Sequence, residues 1–498
     1  MKYAATVALW LFGFVLSAFA SPPHFEHIVI VIQENRTPDN LFGGNPSFEA
    51  GVNISTGQNA QAWGLDACFD PLHHHSDWEA QWNNGGTYQP CASAVDTSSC
   101  NPQPPANICL QKTFVPALDV DPYFQIARYY GFANFMFQTN EGPSFPAHHF
   151  LFSGTSVPYT SGVIGNYQTS QYFVSGNTPQ GQASCTASPG STAEDVGPDD
   201  VQSYAFTPPF ITWGNAGYPC YDHQTLGDVL DHAGKTWHYY AWKKPYNIWN
   251  APYSVYHLCQ PNHPGSTGSC TGSHFTNGDV TITQGQILTD IGNCQLPNVS
   301  WVVPDGDWSD HPGSHATKNG PAWVASIVNK IGNNPTCANG DKYWNSTAIF
   351  ITWDDWGGFY DHIPPYNVVR QVGTWGSGFV SGFRVPLLVV SAYTQDGTVS
   401  GGGVQTPNCT DPTVLYCHDF GSILKFIENN WGLPSVGLQD GLNYADDFAP
   451  DNKNSNVPLS EFFSLTSPKN FEPIAIPQGA PGESYFIGYT GEVPPDDD

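Results

Sequence analysis

Five apolar, β-rich runs recur at wide intervals along the chain: HIVIVI (27–32), TWHYYAW (236–242), VSWVVP (299–304), AIFITW (348–353) and RVPLLVVS (384–391). After His27, HIVIVI has no polar residue at alternate positions, so a strand made from it must be covered on both faces. That is the pattern of a central parallel strand, and parallel strands need long, usually helical, crossovers. Helical patterns do lie between the runs. DPYFQIARYYG has Asp121 as N-cap, Pro122 at the first helical position and Gly131 as stop, and TLGDVLDHAG puts Leu226, Val229, Leu230 and Ala233 on one face. FGSILKFIENNWGLP closes on Gly432, with Pro434 beyond. Strands alternating with helices predict an α/β fold with a mostly parallel sheet.

Two of these runs end in an unusual way. HIVIVIQ stops at Glu34-Asn35, and AIFITW stops at Asp354-Asp355 before a Gly-Gly turn. Such residues cap turns. Adjacent carboxylates at a strand end, however, repel one another unless a cation neutralises them, and the carboxyl ends of strands in an open α/β sheet are where ligands bind. Brought to one sheet edge, Glu34, Asn35, Asp354 and Asp355 would form an oxygen-rich shell for one divalent metal ion, with Ca, Mg or Mn favoured by oxygen donors and Zn compatible if a histidine approaches.

In NEGPSFPAHHFLFSG, Ser144 follows Gly142-Pro143 and precedes an apolar helical segment, an N-cap position. The same position faces the helix dipole and backbone N–H groups, which favour a bound phosphate, so a serine there is also a candidate nucleophile for phosphorus. No G-x-S-x-G elbow surrounds any serine, which argues against a lipase or esterase. DWSDHPGSH places Asp310 and His311 in a turn after VSWVVP, and DPLHHHSDW packs His73, His74 and His75 into a loop. Imidazolium groups can bind phosphoryl oxygens and protonate a leaving group.

Residues 1–20 carry the charge, apolar core and A-x-A ending of a secretory signal peptide, leaving 21–498 as a single domain in an exported chain. In that setting most of the 12 cysteines belong in disulfides, with Cys259–Cys270, Cys409–Cys417 and pairings among Cys91, Cys100 and Cys109 as local staples. Most cysteines sit in turn-rich insertions at roughly 44–115, 155–220 and 243–295. The 43 Pro, 50 Gly and many aromatics imply that these are ordered loops. Sequons occur at Asn53, Asn298, Asn345 and Asn408. With 15 basic against 43 acidic residues, a net charge of −28 excludes nucleic acid as a natural partner. No later stretch is long and apolar enough for a transmembrane segment.

QENRTPDNLFG, GPSFPAHHFLFSG, WSDHPGS, FITWDDWGGFYDH and YCHDFGSILKFIENNWGLP, in that order, resemble the secreted bacterial and fungal phosphoesterase family of phosphatidylcholine-type phospholipases C and acid phosphatases. The similarity runs from about residue 26 to about 450. The resemblance implies an alkaline phosphatase-like α/β/α sandwich with long disulfide-stapled insertions. It implies metal ligation by Glu34, Asn35, Asp354 and Asp355 and a nucleophile at Ser144. It implies phosphoryl contacts from His311, beside Asp310, and from His74, chosen among the three histidines by its spacing to Asn84-Gly85-Gly86. A further Asp-His pair belongs between the nucleophile and the D-H-P turn, with His257 as candidate; His362 is placed behind the metal ligands. The implied function is metal-dependent hydrolysis of a small-molecule or phospholipid phosphate ester through a phosphoserine intermediate, with transient contact to a membrane surface. The alternative is a secreted binding or cell-wall protein that keeps the fold without catalysis.

Overall fold

The computed structural model describes residues 23–43, 61–83, 87–159, 168–174, 183–196, 202–203, 206–242, 248–265, 267–366, 380–411, 414–441, 443–452, 458–491 and 493. The expected signal peptide, the sequon at Asn53 and Asn84-Gly85-Gly86 lie outside them.

All five apolar runs enter one seven-stranded sheet. In chain order its strands are β1 (His27–Gln33), β2 (Gly131–Ala133), β3 (Trp237–Tyr240), β4 (Val299–Val302), β5 (Thr347–Trp353), β6 (Leu387–Ser391) and β7 (Thr398–Ser400). Across the sheet they run β7-β2-β6-β5-β1-β4-β3, and only β6 is antiparallel to its neighbours. β1 lies inside the sheet, between β5 and β4, and every residue in it is buried, as its unbroken apolar run requires. Each aliphatic side chain from Ile28 to Ile32 contributes about 1.5–3 kcal/mol by leaving water.

The pleat separates the two faces of the sheet. Ile30, Trp301 and Phe350 are in register on one face. There Trp301 meets Phe152 of α4 (Ser144–Ser153), and Phe350 meets Phe426 of α8 (Phe420–Trp431). Gln33 and Trp353 share the opposite face, where Trp353 packs edge-on against Tyr123 of α3 (Asp121–Tyr129). Helix α7 (Gly320–Asn333) lies beside α3 and α6 (Gln286–Gly292), and α5 (Leu226–His232) lies beside α4. The result is the expected α/β/α sandwich with a mostly parallel sheet. Two further helices matter for the site, α1 (Pro38–Phe42) and α2 (His75–Trp82).

Two helix starts sit one residue away from the sequence expectation. Val120 is the N-cap of α3, with Asp121 inside the first turn, where its carboxylate accepts from Gln125 Nε2. Pro143 is the N-cap of α4, so Ser144 is its first helical residue and its hydroxyl is directed elsewhere. Six disulfides staple the chain: Cys68–Cys100, Cys91–Cys109, Cys185–Cys220, Cys259–Cys270, Cys294–Cys337 and Cys409–Cys417. The local staples form as expected, except that Cys100 pairs outside its trio, with Cys68.

Candidate active site

The register of β1 against β5 brings Gln33 level with Trp353, so Glu34-Asn35 and Asp354-Asp355 leave the sheet side by side. Continuing the pleat, Glu34 and Asp354 emerge on the face covered by α4. Asn35 breaks the alternation with a left-handed backbone, φ 62°, a conformation that costs energy for a non-glycine residue and collects at functional sites. Its amide N–H donates to Asp354 Oδ1 at 3.1 Å. Gly357, also left-handed at φ 59°, closes the turn after Asp355; a Cβ there would lie 2.3 Å from the Asn35 carbonyl oxygen. The Gly-Gly turn therefore lets the two acidic segments approach, and Gly357 N–H donates to Asp355 Oδ1 at 2.7 Å.

Ser144 enters this cluster from the start of α4. Its Oγ lies 3.1 Å from Asp355 Oδ2 and 3.5 Å from Asn35 Oδ1, with the residue fully buried. The preceding loop is pinned by Gln138 Nε2 and Asn140 Nδ2, which both donate to Gly142 O, and by His75 Nδ1–H, which donates to Glu141 O. One turn further along α4, His148 Nε2 lies 3.2 Å from Glu34 Oε1 and 3.8 Å from Asp354 Oδ2. Burial lowers the His148 pKa to about 4 against the raising effect of Asp354, so the imidazole is neutral. Glu34, His148 and Asp354 offer ligand atoms within 4.8 Å of one another. Asp354 Oδ2 is buried without a hydrogen-bond partner, an arrangement that is costly unless a cation completes it. The donor set thus fits a divalent ion. In the sequence His148 carries no mark beyond its spacing of four from Ser144, which puts both on one face of one helix.

The structure brings together Glu34, Asn35, Asp354, Asp355 and Ser144 and places the remaining expected residues around them. His73 reaches Asn35 directly: its Nδ1–H donates to Pro71 O at 2.8 Å, so its Nε2 accepts from Asn35 Nδ2 at 2.8 Å. That bond orients the amide, turning Asn35 Oδ1 toward Ser144. His74, expected as a phosphoryl contact, is the N-cap residue of α2, half-buried with its ring 3.2 Å from Asp77 Oδ2. His73 and His74 both line a cavity of about 320 Å³, together with Asp70, Asp96, Gly313 and Ser314.

His311 faces His73, ring centroids 5.9 Å apart, and its Nδ1–H donates to Pro312 O, which leaves Nε2 as the proton-accepting nitrogen. Asp310 turns to the other side of the sheet, where Oδ2 accepts from Tyr123 Oη at 2.8 Å and Trp353 Nε1 at 3.0 Å. Burial raises its pKa to about 6, against the lowering by Arg36 and by these two donors. Arg36 holds the D-H-P turn by donating from Nε to Asp310 O at 2.8 Å. His257 lies in a surface clamp between Asp222 (2.7 Å) and Asp228 (3.1 Å), and His362 joins Asp39 at 2.8 Å; neither contact involves the oxygen cluster.

Residues 25–434 match the phosphoesterase family, and the chain belongs to that family. It is therefore classed with the phosphoric ester hydrolases. Among curated relatives, a non-hemolytic phospholipase C of Burkholderia pseudomallei is 24% identical over 93% of this chain and 67% of its own length. Phospholipase C A of Mycobacterium tuberculosis is 24% identical over 87% of this chain and 78% of its own. Among solved structures, a protein in the alkaline phosphatase superfamily from Vibrio parahaemolyticus aligns over 83% of this chain and 68% of its own, at 10% identity and a TM-score of 0.33.

Proposed function

We propose that the chain is an exported, metal-dependent hydrolase of phosphodiesters of the phospholipase C type, with Ser144 as nucleophile. The observation that carries this reading is the convergence of a buried serine hydroxyl at a helix start with Asn35, Asp355 and the hydrogen-bond-deficient oxygen of Asp354. Glu34, Asn35, Asp354 and Asp355 hold the ion. Once bound, a divalent ion supplies charge for the phosphoryl oxygens and lowers the pKa of a nearby hydroxyl.

Ser144 Oγ attacks phosphorus while its proton passes to Asp355 Oδ2, the acceptor it already faces. The first-turn N–H groups and the dipole of α4 hold the phosphoryl oxygens. As the bond from phosphorus to the leaving oxygen breaks, His311 Nε2, protonated, gives its proton to that oxygen. Water then attacks the phosphoserine ester, passing a proton to the now neutral His311 Nε2; the Ser144 Oγ–phosphorus bond breaks, and the serine oxygen takes back the proton held by Asp355 Oδ2 as the phosphate product leaves. His73 holds the Asn35 amide in orientation throughout.

The names of the curated relatives support a phospholipid phosphodiester, reached by transient contact with a lipid surface. Six disulfides, with no free cysteine among the described residues, support an oxidising, extracytoplasmic compartment, and no helix among the described residues is long and apolar enough to cross a membrane. The test assays p-nitrophenylphosphorylcholine and p-nitrophenyl phosphate with and without chelator. Turnover of the diester is expected, lost on chelation and restored by a divalent ion, with Ser144→Ala inactive at unchanged metal content. Chelator-insensitive turnover, or normal rates in Ser144→Ala, would refute the reading; turnover of the monoester alone would move the substrate class to phosphomonoesters.

A further inference from the structure

We infer that His148 supplies a nitrogen ligand to the cation site, so that the site selects a borderline transition ion, Zn²⁺ in the first instance, over Ca²⁺ or Mg²⁺. The inference deepens the metal-dependent reading above and rests on it.

One chain of hydrogen bonds, from the Trp249 carbonyl through Tyr239 to His148, fixes the imidazole tautomer. Tyr239 Oη lies 3.0 Å from the Trp249 carbonyl oxygen, which can only accept, so the single Tyr239 hydroxyl proton is directed there. Tyr239 Oη also lies 3.4 Å from His148 Nδ1; its proton being engaged, it must accept from Nδ1–H. In a neutral imidazole the proton on Nδ1 leaves a lone pair on Nε2. That lone pair points at Glu34 Oε1 (3.2 Å) and toward Asp354 Oδ2 (3.8 Å).

Three acceptor atoms thus converge in a site where all three residues are completely buried, and the Asp354 oxygen has no hydrogen-bond partner. Such a group is stable when a cation sits among them. The outer part is built as metal-binding histidines require, with the distal nitrogen fixed by a hydrogen-bonded partner that is itself anchored to backbone. Tyr239 comes from β3, two strands away from β1 in the sheet, so the partner that orients the His148 ring is supplied by the sheet and not by the helix that carries the histidine. Packing reinforces it: the Trp249 ring stacks over His148 at 6.5 Å.

Carboxylates and amide oxygens alone suit Ca²⁺, Mg²⁺ or Mn²⁺, whereas imidazole shifts the preference to Zn²⁺ and its neighbours in the transition series. Most mixed sites bind Zn²⁺ more tightly than Mn²⁺ in any case, so the decisive quantity is the change in the Zn²⁺-to-Ca²⁺ affinity ratio when the imidazole is removed. Metal-depleted protein would be titrated with Zn²⁺ and with Ca²⁺ by calorimetry, and metal content checked by mass spectrometry after dialysis, for the wild type, His148→Ala and Tyr239→Phe. Removal of an outer-shell partner costs roughly 10–100-fold in affinity. Tyr239→Phe should therefore lose at least roughly 10-fold in Zn²⁺ affinity, and His148→Ala more than roughly 100-fold, with Ca²⁺ affinity little changed in both. Tyr239→Phe keeps the buried ring and so remains informative if His148→Ala does not fold. An unchanged ratio in the folded variants would overturn the inference while leaving metal-dependent hydrolysis standing. A wild type that binds no divalent ion at all would remove both.

Discussion

Asn35 shows how much one residue must do at this site. It holds a left-handed backbone, donates its amide N–H to Asp354, and presents Oδ1 toward Ser144. Its side-chain orientation depends on His73, which accepts at Nε2 because Pro71 O fixes its proton on Nδ1. His73→Phe keeps the ring but removes the acceptor, freeing the amide to rotate. A fall in turnover of roughly 10–100-fold is expected, with KM little changed and thermal stability near wild type. His73→Gln, whose amide oxygen can accept the same bond, should recover part of the loss; equal impairment in both variants would assign His73 a packing role only. The strand-end carboxylates were legible in the sequence because hydrophobic runs stopped on them. His73 was not separable from His74 and His75, since three adjacent histidines have one composition and only the fold decides which ring turns inward. His148 was hidden by the apolar helix that carries it.

At the scale of elements, the strands declared themselves by unbroken apolar runs, and the helices by their stop signals: α8 ends on Gly432 in the left-handed conformation, as its sequence indicated. The three-residue strands β2 and β7 are too short to show a period, and no sequence pattern states that β6 runs antiparallel. Just before α8, His418 is wholly buried between Asp451 (2.8 Å) and Glu461 (3.0 Å). Burial opposes its charge, but Glu461 and then Asp451 outweigh that effect and push its pKa up to about 10. An unfolded histidine titrates near ~6.5. A folded pKa above the unfolded one gives stability that is complete below about 6.5 and is lost as pH rises through about 10. The melting temperature should therefore fall steadily across that window, and the fall should be shallower in His418→Gln. A melting temperature flat from pH 6.5 to 10 in the wild type would contradict this assignment.

For the whole molecule, the sheet brings chain segments some three hundred residues apart to one edge, while disulfide-stapled insertions enclose them. The pair Cys68–Cys100, interleaved with Cys91–Cys109, braces the cavity wall that Cys68 shares with His73 and His74. Sequence spacing pointed to staples in this region but could not assign Cys100, because connectivity depends on which loops meet in space. On the proposed reading, this assembly places Ser144 to form a covalent bond to phosphorus. The most direct measurement is an acid quench during turnover of p-nitrophenylphosphorylcholine, followed by peptide mass spectrometry. The phosphorylcholine group is expected on the peptide containing Ser144, with neither adduct nor turnover in Ser144→Ala. Full turnover by Ser144→Ala, or an adduct on another residue, would contradict it.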